Sequence, residues 1–233
     1  GPFCRPNYNS FIATFCSMII NKETPTIHND LMVPLIYIDD FINEILKILD
    51  PDIKGNLHIK PINNFYVSEI LEKLNMFDDL YIHQRQIPDV SYHFDLSLFN
   101  TFRSYIDVDS FYPIKHKEFK DTRGAFSELA RAFSEGQTSY SITKKDEVRG
   151  NHFHTRKIER FSVIKGKAKI QLREILSTEI SEFVIDGSYP SYVDIPIWYT
   201  HNIQNIGEED LITVFWINEH YNEDSSDTYL ENV

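Results

Sequence analysis

The densest group of chemically active side chains lies in the stretch RGNHFHTRKIERFSVIKG, residues 149–166. His152 and His154 stand two positions apart, and on a strand such neighbours point to the same face. Glu159 follows after a four-residue gap, which is long enough for a bend into the next strand. A third imidazole, His201, belongs to the separate stretch DIPIWYTHNIQN. Three imidazoles and a carboxylate suit zinc or another divalent transition ion, so the sequence predicts a metal site.

The composition limits the partners that such a site can serve. The net charge of −12 argues against nucleic acid or an anionic membrane as a partner, because either needs a basic surface. No apolar run approaches the roughly 18–20 residues of a membrane span, and no secretory signal opens the chain. Cys4 and Cys16 are expected to be free thiols of a cytoplasmic protein. Because the chain begins Gly-Pro and its first methionine is Met18, we expect part of a longer or processed protein.

The two halves of the chain have different patterns. Residues 1–112 alternate helix-like and strand-like segments, which indicates an α/β fold. Within them, Asp39 and Asp40 are predicted to cap a helix, and GNLHIKP, residues 55–61, is predicted to be a strand. Residues 113–233 contain short alternating apolar segments bounded by turn residues, which predict a β-sandwich or small barrel followed by a solvated acidic tail.

The histidine-containing segments resemble the cupins, which are jelly-roll β-barrels. The first cupin motif reads HxH, four residues, E, six residues, G, and here it is His152, His154, Glu159 and Gly166. The second motif, P, H and N, is matched by Pro196, His201 and Asn205. Two glycines of the cupin pattern are replaced, by Asp146 and Trp198.

The segments around the first motif also resemble the nucleotide-sugar 3,5-epimerases of the rhamnose pathway, through DTRGAFSEL, GQTSYS and RGNH. In those enzymes the Arg and Glu of the first segment hold the nucleotide, and the His after RG is the base that abstracts the proton. Two arginines can clamp a diphosphate by bidentate hydrogen bonds. The substrate contacts expected here are Arg123, Glu128, Gln137, Lys144 and Arg149.

Almost the whole chain resembles one bifunctional family of capsular and O-antigen enzymes acting on UDP-2-acetamido-2,6-dideoxy-hexos-4-uloses. The matching segments include CRPNYNSFIATFC, LIYIDDF and VFWINEHYNEDSSDTYLENV. The resemblance implies a short-chain dehydrogenase domain that reduces the 4-keto group with NADPH and a zinc-binding cupin that epimerises carbon 3. It also implies a homodimer, a product such as UDP-N-acetyl-L-fucosamine or its L-quinovosamine counterpart, and UDP-sugar contacts from Arg5, Asn7 and Asn9. The residue-level alternative for that last segment is a helix N-terminus capped by Asn9 or Ser10.

The expected fold is therefore the C-terminal half of a short-chain dehydrogenase over residues 1–112, followed by an all-β cupin jelly-roll barrel over residues 113–233. We expect neither the glycine-rich dinucleotide turn nor the Tyr-x-x-x-Lys pair of the reductases anywhere in this chain. NADPH binding is accordingly expected only in an N-terminal half that is not part of this chain.

The expected chemistry is proton transfer next to a ketone. A carbonyl at carbon 4 acidifies the hydrogen on carbon 3, and inversion needs a base, an acid on the opposite face and stabilisation of the enolate oxygen. His152 is the base by the epimerase resemblance but a ligand by the cupin resemblance, and it cannot serve both roles at once. With metal bound, the ion is a Lewis acid or structural, and the base is another Tyr or Lys. Without metal, His152 takes the proton and Tyr199 is the candidate acid.

Three other functions fit the same features. A nucleotide-sugar 3,4-ketoisomerase shares the barrel and the substrate but returns the proton elsewhere. A cupin oxygenase would need iron and redox turnover. A non-catalytic module would bind the UDP-sugar or dimerise without exchanging the hydrogen on carbon 3.

Overall fold

The computed structural model describes residues 1–49 and 58–233. The chain divides into two compact units, Gly1–Tyr105 and Ile106–Val233. The division falls before the boundary expected after Tyr112, because Tyr112 packs into the core of the second unit. Among the described residues, no helix has both the length and the apolar character needed to cross a bilayer.

The described residues of the first unit form four α-helices and one two-stranded antiparallel sheet. The helices α1, α3 and α4 contact one another around buried aromatic side chains such as Phe77 and Phe99. Ser10 caps α1 by accepting a hydrogen bond from the Ala13 amide. The elements are α1 (Phe11–Ile20), β1 (Met32–Leu35), α2 (Ile38–Ile48), β2 (Asn63–Tyr66), α3 (Val67–Phe77), a π-helical turn (Asp78–His83) and α4 (His93–Arg103).

Two local predictions in this unit need correction. Asp39 and Asp40 lie in the first turn of α2 and do not cap it, because its N-cap is Tyr37. The preceding strand, β1, ends earlier than the β-branched residues after it indicate. Part of the strand predicted over residues 55–61 lies outside the described residues, and residues 58–60 have no regular structure. The strand in this region is β2, which begins at Asn63.

The second unit is an antiparallel β structure that follows one short helix. Its two five-stranded sheets have the orders β10-β9-β12-β7-β14 and β3-β11-β8-β13-β6, and β4 pairs with β5 as a separate hairpin. From β6 to β13 the chain alternates between the sheets as in a jelly roll, except that β9 and β10 form a hairpin within one sheet. The elements are α5 (Val108–Phe111), β3 (Ile114–Lys115), β4 (Glu118–Asp121), β5 (Gly124–Ser127), β6 (Gln137–Thr143), β7 (Val148–Phe153), β8 (Glu159–Lys165), β9 (Lys167–Glu174), β10 (Ile180–Asp186), β11 (Ser191–Ile195), β12 (Tyr199–Asn205), β13 (Leu211–Ile217), a 3-10 turn (Glu223–Ser225) and β14 (Tyr229–Leu230).

Apolar and polar side chains alternate along the strands, and the apolar ones form the core between these sheets. On β9, Ala168, Ile170 and Leu172 are fully buried, whereas the residues between them are charged or polar. These apolar side chains meet Val163 and Val193 from the opposite sheet in one cluster. The jelly-roll architecture predicted for residues 113–233 is confirmed at the level of strands and their order.

The two residues that replace glycines of the cupin pattern have a backbone conformation that glycine usually adopts. Asp146 has φ 64° and Trp198 has φ 61°, both in the left-handed region. The Trp198 amide donates to the carbonyl of His154 over 2.7 Å, and its ring stacks on Phe153 with centroids 5.6 Å apart. The turn before β12 therefore has its expected shape without its usual residue.

Candidate metal centre

Three strand segments bring four side chains together at one point of the second unit. β7 carries His152 and is followed directly by His154, β8 begins with Glu159, and β12 carries His201. One potential ligand atom from each of the four residues lies within 4.8 Å of every other. The ring of His152 is 4.5 Å from that of His201 and 5.1 Å from that of His154, between centroids. The structure thus assembles all four predicted ligands.

The potential ligand atoms of three of these residues are buried without a hydrogen-bond partner among the described residues. They are Nε2 of His154, Oε2 of Glu159 and Nε2 of His201. The two nitrogens approach that oxygen to 3.0 and 3.4 Å, but the contacts do not have the direction of hydrogen bonds. Buried polar atoms without partners are costly, and a divalent cation would satisfy all three at once. The donor set therefore fits a metal ion.

The protonation states of Glu159 and His152 suit a cation. Burial and the neighbouring imidazoles lower the pKa of His152 to about 4, so its ring is neutral near pH 7. Burial opposes the charge of Glu159, but the imidazoles of His154 and His201 outweigh it and hold the pKa of the carboxyl well below its usual range. Burial likewise opposes a charge on His154, yet Glu159 outweighs it and raises the pKa of that imidazole. The ionised Glu159 and the neutral His152 are in the form that binds a metal, whereas a proton on Nε2 of His154 would have to leave when an ion binds.

Two carbonyl groups orient the buried imidazoles. Nδ1 of His154 lies 2.5 Å from the carbonyl oxygen of Asp227, and Nδ1 of His201 lies 3.3 Å from that of Tyr199. A carbonyl only accepts, so each Nδ1 carries the proton and each Nε2 presents its lone pair to the cluster. No motif singles out Asp227, because it is one of several acidic residues in a tail that is predicted to be solvated.

Tyr199, the candidate acid, lies on the same strand as His201. Residues two apart on a strand share a face, and Tyr199 packs against the barrel core. Burial raises the pKa of Tyr199 to about 12, and the carboxylates of Glu174, Asp109 and Asp107 add to the effect. The phenol is therefore neutral near pH 7 and keeps a proton to donate.

The predicted substrate-binding residues of the second unit make contacts outside the histidine cluster. Arg123 is exposed and pairs with Asp121 over 2.6 Å, and Arg149 donates to Thr143 Oγ1 over 3.1 Å. The remaining contacts are Glu128 with Arg131 at 2.9 Å, Lys144 with Asp210 at 2.8 Å, and Gln137 with the Tyr221 amide at 3.0 Å. These side chains border β4 to β7 and stay predictions as ligands of a nucleotide.

The predicted UDP-sugar segment of the first unit is an irregular stretch before α1. Arg5, Asn7 and Asn9 are exposed, and both asparagines have left-handed backbone angles, φ 57° and 56°. The Asn7 amide donates to Thr14 Oγ1 over 2.9 Å. Of the two capping residues expected as the alternative, Ser10 and not Asn9 caps the helix.

A Tyr-x-x-x-Lys spacing does occur in the second unit, from Tyr140 to Lys144. Tyr140 lies on strand β6, is largely exposed, and is separated from Lys144 by about 13 Å of extended chain. Lys144 is engaged with Asp210. A reductase pair requires the two side chains to meet, so this spacing does not supply one.

Comparison with known proteins places the chain in a family. Residues 119–229 match the family described as polysaccharide biosynthesis C-terminal domain. The chain is 32% identical, over 239 aligned residues, to the UDP-2-acetamido-2,6-β-L-arabino-hexul-4-ose reductase of Pseudomonas aeruginosa, covering 100% of this chain and 63% of that protein.

Solved structures give the same result. The capsular polysaccharide assembling protein CapF of Staphylococcus aureus is 34% identical, with TM-score 0.51, and the match covers all of this chain and 65% of CapF. A CapF structure with the inhibitor 3-isopropenyl-tropolone is 33% identical, with TM-score 0.50, over 100% of this chain and 69% of that one. This chain therefore spans about two thirds of the length of these relatives. It belongs to the family of capsular polysaccharide biosynthesis proteins that includes CapF and the Pseudomonas UDP-sugar reductase.

Proposed function

We propose that the second unit is a metal-binding nucleotide-sugar 3-epimerase. Its substrate would be a UDP-2-acetamido-2,6-dideoxy-hexos-4-ulose, the class of compound named for the Pseudomonas relative. The observation that carries the proposal is the convergence of His152, His154, Glu159 and His201, three of them with buried atoms that lack partners. A CapF structure holds the inhibitor 3-isopropenyl-tropolone, and a tropolone presents two adjacent oxygens suited to chelating a cation.

The four clustered residues would hold the ion, which we propose to be zinc because imidazole and carboxylate ligands suit it. When bound, the ion would polarise the keto oxygen at carbon 4 or hold the site rigid. As a ligand, His152 has no free lone pair for the proton on carbon 3, so in the metal-loaded protein another Tyr or Lys would be the base that removes it. Tyr199, whose phenol is neutral and shares a strand face with His201, would donate a proton to carbon 3 from the opposite face. In metal-free protein, His152 is the base.

The remaining parts of the proposal concern the whole protein. The exposed arginines Arg123 and Arg149 would bind the diphosphate, and Arg5, Asn7 and Asn9 would contact the UDP-sugar in the reductase domain. We propose that the first unit is the substrate-binding half of a short-chain dehydrogenase whose NADPH-binding half lies outside this chain. The complete protein would be a cytoplasmic homodimer that epimerises carbon 3 and then reduces carbon 4.

Hydrogen exchange at carbon 3 tests the epimerase. Zinc-loaded protein is incubated with the 4-keto sugar nucleotide in deuterated water, and NMR follows the carbon-3 proton and the configuration of the product. We expect exchange with inversion in the wild type and a loss of about 10²–10⁴-fold in the rate of inversion in Tyr199→Phe, the usual range for a proton-transfer group. Lys165→Met, on an exposed ion pair with Glu209, is the control.

Each alternative gives a different result in the same experiment. Binding without exchange by the folded, metal-loaded wild type would leave only a non-catalytic module. A product with its carbonyl at carbon 3 would identify a 3,4-ketoisomerase. Full exchange in both His152→Ala and Tyr199→Phe would overturn the assignment of these two residues.

A further inference from the structure

Asp227 lies in the C-terminal segment between the 3-10 turn and β14, and its side chain is fully buried. Its φ of 44° is in the left-handed region, which aspartate tolerates better than most residues. A buried carboxylate in an otherwise exposed acidic segment needs strong partners. Those partners belong to the turn that joins β7 to β8.

The carboxylate of Asp227 accepts hydrogen bonds from three consecutive amides of this turn. Oδ1 accepts from the Thr155 amide over 3.1 Å and from its hydroxyl over 2.7 Å. Oδ2 accepts from the amides of Arg156 and Lys157, each over 3.0 Å. Hydrogen bonds to an ionised acceptor are about twice as strong as neutral ones. The turn held in this way sets the separation between His154 and Glu159.

The main-chain carbonyl of Asp227 contacts one of the four clustered side chains directly. Its carbonyl oxygen accepts from Nδ1 of His154, which fixes the tautomer and the orientation of that ring. One residue thus controls both the ring of one predicted ligand and the path of the chain to the next. The left-handed backbone angle allows the carbonyl and the carboxylate to point at the same turn.

The segment around Asp227 is itself held in place. Lys157 Nζ donates to the carbonyl of Ser226, and Arg156 donates to Glu219 over 3.0 Å and to the Ser225 carbonyl over 2.7 Å. Beyond Asp227, β14 pairs with β7 opposite His152 and Phe153. The strand that carries the first ligand and the turn after it are therefore covered by one continuous segment.

We propose that Asp227 is a positioning residue that sets the metal affinity of the cluster. This inference rests on the proposed metal centre. The carboxylate keeps the turn closed so that His154 and Glu159 reach the same ion, and the carbonyl presents Nε2 of His154 to it. Outer partners of metal ligands typically account for about 10–100-fold in affinity.

The test measures zinc affinity by competition with a chelator, and ligand geometry by the visible absorption of the cobalt(II) form. Asp227→Asn keeps the size of the side chain but replaces one acceptor oxygen with a donor. We expect affinity to fall about 10–100-fold and the cobalt bands to shift or weaken. Asp186→Asn is the matched control, because Asp186 also caps a turn of this unit, accepting from the Ser188 amide over 2.9 Å, away from the cluster.

A milder variant covers the case in which Asp227→Asn does not fold. Thr155→Val removes only the hydroxyl contact to Oδ1, and we expect a several-fold loss of affinity with unchanged circular dichroism. Wild-type affinity and cobalt spectrum in the folded Asp227→Asn protein, or in Thr155→Val if the former is unfolded, would overturn the inference alone. Failure of the wild type to bind zinc or cobalt would overturn the proposed metal centre together with it.

Discussion

His152 on β7 stands directly opposite His201 on β12 in the antiparallel register, with their ring centroids 4.5 Å apart. Both strands belong to one sheet, whereas Glu159 begins β8 in the other sheet. The cluster therefore joins the two layers of the jelly roll at one end. A ligand that binds all of these side chains would link the sheets directly.

The first prediction concerns the stability gained from metal. An ion that binds only the folded state stabilises by RT ln(1 + [L]/Kd), which is about 4 kcal/mol at a thousandfold excess over Kd. We expect zinc to raise the melting temperature of the wild type and a chelator to reverse the rise. Glu159→Gln and His201→Ala should lose this response, because each removes a predicted ligand that would connect the ion to one of the two sheets. Calorimetric scans with and without zinc provide the measurement.

An equal zinc-dependent rise in these variants and in the wild type would place the ion elsewhere. Glu209→Gln, on the exposed pair with Lys165, is the control that should retain the full response.

The second prediction concerns the left-handed angle of Trp198. Both Trp198→Ala and Trp198→Gly lose the stacking on Phe153, but only glycine relieves the φ of 61°. A left-handed angle costs a side-chain-bearing residue about 1–2 kcal/mol, and the flexibility of glycine offsets about 0.5–1 of it. We expect Trp198→Gly to be more stable than Trp198→Ala by up to about 1 kcal/mol in urea unfolding.

The same pair of substitutions at Gln204 serves as the reference, because Gln204 lies within the extended strand β12. There alanine should be the more stable of the two. If the alanine variant were more stable than the glycine variant at both positions, the backbone angle of Trp198 would carry no strain.

The third prediction concerns the pH dependence of stability at His116. Burial, with the nearby Arg160 cation, lowers the pKa of His116 from 6.5 to about 4. The unfolded chain therefore takes up this proton first as the pH falls. The contribution is fully present above pH 6.5 and is lost progressively between 6.5 and about 4.

In His116→Gln this loss is absent, while the neighbouring carboxylates titrate in both proteins. The difference in unfolding free energy between wild type and variant should therefore shrink across that window and level off below it. A difference that stays constant from pH 7 to pH 4 would contradict the shift. Urea titrations at fixed pH steps provide the comparison.

The fourth prediction concerns the buried ion pair between β8 and β11. Arg160 donates to both carboxylate oxygens of Asp194, over 2.7 and 2.9 Å, and both side chains are almost fully buried. Removing one partner of a buried pair leaves an uncompensated charge and costs about 3–5 kcal/mol. We expect Arg160→Met to show this loss in urea unfolding, and Arg160→Met with Asp194→Leu to lose less than the single variant.

Lys165→Met tests an ion pair on the same strand that is exposed to solvent. It should change stability by less than about 1 kcal/mol, because exposed pairs contribute little. A loss as large as that of Arg160→Met would show that charge on β8, and not burial, determines the effect.

Local patterns predict much of this architecture. The two-residue spacing of His152 and His154 and the gap to Glu159 predict the cluster, because both spacings follow directly from strand geometry. Alternation on β9 predicts its buried face, and the turn residues between segments predict where strands end. The resemblance to cupins adds the order of strands, which no single segment determines.

Long-range contacts are what the sequence does not show. Asp227 has neither a periodic neighbour nor a motif, and its partners in the β7–β8 turn lie about seventy positions away. The left-handed conformations of Asp146 and Trp198 follow from the cupin pattern, which has glycine at both positions, and not from the side chains themselves. Asp39 and Asp40 show the opposite error. Aspartate is a favourable N-cap residue, but α2 begins before both of them because the preceding strand ends earlier than predicted.

The separation of 73 residues between His154 and the carbonyl that orients it has a consequence for biosynthesis. Translation delivers all four clustered side chains well before Asp227. A chain that has not yet reached Asp227 lacks the acceptor for Nδ1 of His154 and also lacks β14, the strand that pairs with β7. We therefore expect tight loading of the ion only after residues 226–230 have folded onto the β7–β8 turn, as a late step of maturation.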